Sequence, residues 1–145
     1  MEIVIEGWRA GGEERKEAAS VPVDQLPVLT DEQKLVAKKF GMPEEAYARS
    51  TYAGKRNQER LVEKSKRFAQ ILGEKLATIA EGAKIDRVRL VTIEHEYRID
   101  LSVNDAKIHF RVPEEMVDDL VEGGSAHVGQ QIADRLETVL AGRAA

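Results

Sequence analysis

Asp100, Ser102 and His109 lie close together in the sequence and combine a carboxylate, a hydroxyl and an imidazole. These are the parts of a nucleophilic triad. A working triad also needs a buried carboxylate that orients the histidine, an exposed nucleophile and an oxyanion hole. Here Asp100 is expected to pair with Arg111, and no glycine-rich elbow surrounds Ser102. The three are therefore read as one solvated sheet face. His95, His109 and His127 are the only histidines, with no i, i+4 pair and no HExxH, so a metal site would require distant residues to converge. The chain has no cysteine, which excludes disulfides, thiolate catalysis and thiolate metal sites. Gly54-Lys55 carries the Gly-Lys of a phosphate-binding loop. Arg49 stands where that motif needs its first glycine, and Arg56 where it needs Ser or Thr. Gly123-Gly124 follows a short helix rather than a strand, which excludes a dinucleotide fingerprint. The expectation is a non-enzymatic protein with no cofactor, no metal and no evident small-molecule substrate.

Charge gives the stronger signal. The 145 residues carry a net charge of −4, with 33% charged residues against a usual value of about 25%. Residues 33–67 hold ten Lys and Arg against four Glu, a local net of +6, which leaves −10 for the remainder. Such asymmetry predicts a basic face and an acidic face. Arg49, Lys55, Arg56, Arg60, Lys64 and Arg67 are the candidate basic interaction residues. Glu114, Glu115, Asp118, Asp119 and Glu122 are the candidate acidic ones. A protein partner or a second copy of the chain fits this pattern, and nucleic acid fits the basic side.

These faces need elements to carry them. "EIVIEGW" reads as a short strand with Ile3 and Ile5 on one face. Residues 9–29 show no period, and Gly11-Gly12, Pro22 and Pro27 break any regular element, so 1–29 is read as a strand followed by a flexible or extended arm. Thr30 and Gln33 form a capping box for a helix whose buried stripe would be Leu35, Val36 and Phe40. Gly41 suits its C-terminal cap, and Pro43 opens a second helix to about Tyr52, with Gly54 as an interruption. A long third helix, from about 55 to 80, carries Leu61, Ser65, Phe68, Leu72, Leu76 and Ile79 at steps of three and four.

Residues 86–112 are β-rich. A hairpin turning at Asp105-Ala106 would pair Val103 with Ile108, Leu101 with Phe110 and Ile99 with Val112 inward, and Asp100 with Arg111 outward. The strand from Val88 to Ile93 has no decided inward face. Pro113 opens a short helix stopped by Gly123-Gly124. Ser125 caps a last helix with Val128, Ile132, Leu136, Val139 and Leu140 buried, ended by Gly142. The predicted fold is α+β: an antiparallel sheet of three or four strands against a long helix and a C-terminal helix, with 30–145 as one domain. The N-terminal residues lack the basic and apolar regions of a signal peptide, and no apolar run is long enough to span a bilayer, which predicts a soluble cytoplasmic protein without membrane partners.

Two resemblances fall on one segment. "QKLVAKKFGMPEEAYARSTY" at 33–52 resembles the helix-turn-helix of DNA-binding proteins through Val36-Ala37, Gly41 and Met42; Tyr47 and Ser50 depart from that pattern. The resemblance implies DNA contact by residues 33–67, although Glu44 and Glu45 stand where a recognition helix meets the groove. "LTDEQKLVAKKFGMPEEAYA" at 29–48 is similar to segments of tailed-phage structural and head-assembly proteins. That similarity implies an assembly role without catalysis. The leading expectation is a non-catalytic interaction or assembly protein, with DNA binding as the alternative.

Overall fold

The computed structural model describes residues 1–7 and 12–144. The fold is α+β, and among the described residues one four-stranded sheet accompanies five α-helices. No helix among them is long and apolar enough to cross a membrane. The chain divides into two compact units: Met1–Gly7 together with everything from Leu61 onward, and the intervening stretch up to Arg60.

In the first unit the strands are β1 (Glu2–Glu6), β2 (Ala83–Val91), β3 (Glu96–Val103) and β4 (Ala106–Pro113), in the order β1-β2-β3-β4. β2, β3 and β4 form an antiparallel meander, as expected, whereas β1 pairs parallel to β2, so the sheet is mixed. Helix α3 (Glu44–Ile79) supplies its apolar stripe to this unit from Leu61 onward. Leu61, Phe68, Leu72 and Leu76 are buried and Ile79 partly so. Ser65 sits in the same stripe because its hydroxyl donates to the Leu61 carbonyl oxygen at 2.8 Å, so no polar group is left unmade. Helices α4 (Glu114–Val121) and α5 (Ala126–Ala144) add Val117, Leu120, Val128, Ile132 and Leu136. From the sheet come Val88, Leu90, Tyr97, Ile99, Leu101, Ile108, Phe110 and Val112. Val88 and Leu90 thus settle the inward face of β2. Ile93 is 85% exposed in the turn beyond it. Phe68 meets Tyr97 edge-on with ring centroids 5.3 Å apart, a favourable quadrupole geometry.

The hairpin register differs from the expected one by two residues. Val103 pairs with Ala106, Leu101 with Ile108, Ile99 with Phe110 and Tyr97 with Val112. The two-residue loop is Asn104-Asp105, both with positive φ (49° and 69°), as a type I′ turn requires. A slip of two preserves which side chains face inward, so the apolar pattern is satisfied equally by both registers and turn geometry decides. Outward, Asp100 now pairs with His109, not Arg111. At the β1 end, Gly7 has φ +91°, and a Cβ there would lie 2.1 Å from the Thr92 hydroxyl. That hydroxyl donates to the Glu6 carbonyl oxygen and ties β1 to the turn after β2.

The other unit contains α1 (Gly12–Ser20), a single 3₁₀ turn at Val23–Gln25, α2 (Asp31–Lys39) and the first part of α3. Residues 12–20, expected within an aperiodic arm, are helical. The Trp8 end of the first strand and Gly11 lie outside the described residues. Leu26 and Leu29, expected in the flexible or extended arm, pack with Ala48, Val21, Tyr47 and Tyr52 of the same unit.

The capping box forms as read: the Thr30 side chain accepts from the Gln33 N–H, and the Gln33 side chain accepts from the Thr30 N–H. The C-terminus of α2 closes with a Schellman motif. The Met42 N–H donates to Ala37 O (2.9 Å) and the Gly41 N–H to Lys38 O (3.1 Å), with Gly41 at φ +66°. Three expectations are corrected. α3 runs unbroken through Gly54, an interior glycine that costs about 1 kcal/mol against Ala and is outweighed by the helix's buried face. α5 passes through Gly142. Leu35 and Phe40 are 67% and 75% exposed; the residue that α2 buries is Ala37.

The turn offers a direct check of the register. Asp105→Gly removes a side chain from a left-handed position and is expected to stabilise the protein by about 0.5–1 kcal/mol, read as a raised denaturant midpoint. Under the register with Ala106 in the loop, the gain would come from Ala106→Gly instead.

Candidate interaction surface

Four of the six basic candidates are neutralised from within their own unit. Arg49 forms an ion pair with Glu45 at 2.8 Å and donates to the carbonyl oxygens of Ala18 (2.6 Å) and Val21 (2.8 Å). It thereby satisfies acceptors that a helix C-terminus leaves open. Arg56 pairs with Glu17 at 3.3 Å and Glu59 at 3.2 Å, and Glu17 foremost raises its pKa. Arg60 pairs with Glu13, Glu14 and Glu17 at 3.2, 2.6 and 3.3 Å. The acids of α1 therefore meet the bases of α3 at matching helical spacing. Glu14 is 5% exposed, which makes its ion pair the chief reason that this carboxylate can be there at all. In the other unit Lys64 bonds Asp118 at 2.8 Å and Glu122 at 3.0 Å. Burial works against its charge, but the two carboxylates outweigh it and hold the Lys64 pKa above the ordinary range. Lys55 and Arg67 remain exposed.

The acidic candidates divide similarly. Asp118 and Glu122 are taken by Lys64. Glu114 is buried; its carboxylate lies 3.2 Å from His95 Nδ1, and its N–H donates to the His95 carbonyl oxygen at 2.8 Å. This double contact anchors the start of α4 on the β2–β3 turn. Glu115 and Asp119 face water.

The triad-like residues do not converge. Asp100 Oδ1 lies 2.8 Å from His109 Nδ1, but the Ser102 hydroxyl donates to Asp86, not toward the imidazole. A bulge between Ile85 and Arg87 brings Asp86 there. The Ser102 hydrogen bond, then Lys107, hold the Asp86 carboxyl below the usual range. Lys107 Nζ is 2.9 Å from Ser102 Oγ, but it is 69% exposed and paired with Asp86, unlike the desolvated lysine that serves as a base. Ion pairs cover the rest of this face, among them Arg87 with Glu2 and Arg89 with Glu6. No group of His, Asp and Glu able to hold a metal ion occurs among the described residues.

The uncompensated surface lies elsewhere, at the α2–α3 corner, where periodicity predicted core. Leu35, Phe40 and Met42 are 67%, 75% and 40% exposed, and Val28, just before α2, is 93% exposed. An open cleft of about 600 Å³ there is lined by Asp31, Lys34, Leu35, Lys38, Met42, Pro43 and Glu44. No ion pair among the described residues involves Asp31, Glu32, Lys34, Lys38 or Lys39. Exposed apolar side chains grouped on one corner, unlike isolated ones, mark contact surfaces.

Two measurements follow from these contacts. Arg60→Ala leaves the Glu14 carboxylate buried and unpaired; amide exchange across residues 13–20 is expected to accelerate about tenfold while the sheet is unaffected. Unchanged exchange would mean that α1 is held by something other than these pairs. The second concerns Tyr97, whose ring is fully buried and whose hydroxyl finds no partner, since the nearby Ser65 donates to Leu61. Burial pushes its pKa up to about 12 from 10.0. The folded state thus holds this proton more tightly than the unfolded one. Its contribution is complete below pH 10 and is lost between 10 and about 12, on the order of 2 kcal/mol. Tyr97→Phe is expected to remove that alkaline loss with little effect at neutral pH, followed by denaturation at stepped pH.

No protein-family model, no curated protein and no solved structure matches the chain.

Proposed function

We propose that this is a non-catalytic protein–protein interaction or assembly protein, and that the α2–α3 corner is its contact surface. The observation that supports this most is that exposed Leu35 and Met42 line one cleft on a well-capped corner whose C-cap, Phe40, is exposed as well. A capping box and a Schellman motif fix the backbone at both ends of α2, so the apolar side chains are presented by a rigid element rather than by a frayed one. The segment similar to phage assembly proteins, residues 29–48, is this same corner. The charged faces serve a different purpose in this reading. Their pairs close on themselves within each unit and hold α1 and α4 in place.

The reading of DNA binding loses weight on the same ground, because neutralised cations release no counterions from DNA. Lys34, Lys38, Lys39, Lys55, Lys66 and Arg67 remain for it. Fluorescence anisotropy with random duplex DNA decides: salt-steep micromolar binding, abolished by Lys55→Ala with Arg67→Ala, would favour nucleic acid.

Site-specific photo-crosslinking tests the main proposal. With p-benzoylphenylalanine in place of Phe40, irradiation in the native host is expected to trap a discrete protein adduct that Leu35→Ser abolishes. The same probe at Lys16 should give none. Leu35→Ser is expected to change folding stability by less than about 0.5 kcal/mol, since the side chain is exposed. If position 40 traps nothing beyond the Lys16 control, the corner is not a contact surface and the proposal falls.

A further inference from the structure

We infer that the occupant of this corner is a second copy of the same chain, joined by antiparallel pairing of the two α2 helices about a two-fold axis. The inference rests on the interaction reading above and adds the partner's identity.

The argument begins with which side of α2 faces water. At 100° per residue, Asp31, Lys34, Leu35 and Lys38 share one face, spaced i, i+3, i+4, i+7. The opposite face carries buried Ala37 and half-buried Gln33 and Val36. The exposed seam is thus directed away from the helix's own packing. Along it the charges are ordered: acids Asp31 and Glu32 in the first turn, bases Lys38 and Lys39 in the last.

Place a two-fold axis beside the step from Lys34 to Leu35, perpendicular to the helix. Asp31 lies about 5 Å along the helix on one side of it, and Lys38 about 5 Å on the other. The operation brings Asp31 of one copy opposite Lys38 of the second, and Lys38 opposite Asp31. Glu32 comes within a turn of Lys38 and Lys39 of the second copy. Leu35 lies against the methylene stem of the other Lys34, a contact that keeps the ammonium in water. Exposed Met42, which lines the same cleft as Leu35, Lys34 and Lys38, extends the apolar part of the seam beyond the helix. An isologous contact demands such self-complementarity. It also relieves a local cost, because Lys34 and Lys38 are like charges at i, i+4 without an acidic partner.

Two nine-residue helices bury a small area, in the class of weak, reversible interfaces. Dissociation in the micromolar range is expected. The test is sedimentation equilibrium of the full chain from about 1 to several hundred micromolar, a range suited to such an interface. The wild type is expected to show a monomer–dimer equilibrium, and Leu35→Glu to be monomeric. Two charge-reversed variants, Asp31→Lys with Glu32→Lys and Lys38→Glu with Lys39→Glu, should each self-associate at least tenfold more weakly. Mixed in equal amounts they should form a heterodimer, because reversal of opposite ends restores both sets of pairs; that rescue also shows that both variants fold. A wild type that stays monomeric overturns the inference. So does a dimer indifferent to Leu35→Glu, or a mixture that fails to associate. If the chain is monomeric while position 40 crosslinks to a different protein, the inference fails and the interaction reading stands. If position 40 crosslinks to nothing, the interaction reading fails.

Discussion

The C-terminal unit depends on keeping one stripe of α3 out of water. Leu61, Phe68, Leu72 and Leu76 are each at most 4% exposed, and residues of all three antiparallel strands and of α4 and α5 join the same cluster. A helix of 36 residues does not owe its stability to its own hydrogen bonds alone; tertiary packing of its apolar face supplies most of it. The sheet meets the same demand from the other side, since a half-buried meander must cover its inward Val88, Leu90, Ile99 and Phe110. The polar contacts are consistent with this core. Lys64 lies one residue before Ser65 of the stripe, and its bonds to Asp118 and Glu122 hold α4 where Val117 and Leu120 can enter the cluster.

The first part of α3 is held by different physics. Its cluster of buried apolar residues is small, built from Leu26, Leu29 and Ala48, and α1 buries little beyond Ala18 and the stem of Glu14. Electrostatics takes the larger share there. Arg56 and Arg60 are one turn apart, and Glu13, Glu14 and Glu17 are spaced to meet them. Because Arg60 is nearly half exposed, each pair is screened and worth modest energy, but a shared cluster fixes each side chain once for several contacts. Four of the ten basic residues in 33–67, Arg49, Arg56, Arg60 and Lys64, are thus internal counter-charges. Net charge over a sequence window reports what the window carries, not what it leaves available.

What was legible in the sequence follows this division. The capping box at Thr30 and Gln33, the left-handed Gly41, the stripe on α3 and the inward parity of the hairpin all rest on local rules, and they are present in the fold. Apolar alternation has period two and cannot distinguish registers that differ by two; Asn104 and Asp105 decide between them through their positive φ. α1 escaped because its helix is specified by acid spacing against distant arginines, which apolar periodicity does not sense. The Glu13, Glu14 and Glu17 spacing was the available signal. Leu35 and Phe40 read as core from the sequence because a stripe shows that apolar residues share a face, not what covers it. The parallel pairing of β1 with β2 depends on a connection through nearly the whole intervening chain, and no local pattern encodes it.

Acids at the start of a helix and bases at its end are common, because they complement the backbone dipole. Every such helix is self-complementary when paired antiparallel, so the pattern alone selects nothing. In α2 it is joined to a specific exposure. The charged seam is the solvent face, Leu35 stands at its centre, and exposed Met42 shares its cleft. α4 shows the contrast. It too begins with acids, Glu114 and Glu115, but Glu114 is buried against His95, its later acids bond Lys64, and no base closes its last turn. Charge order with an apolar centre also sets direction. A parallel pair of α2 helices would oppose Asp31 to Asp31 and Lys38 to Lys38, so the same side chains that favour the antiparallel arrangement disfavour its alternative, and a weak contact can still have one geometry.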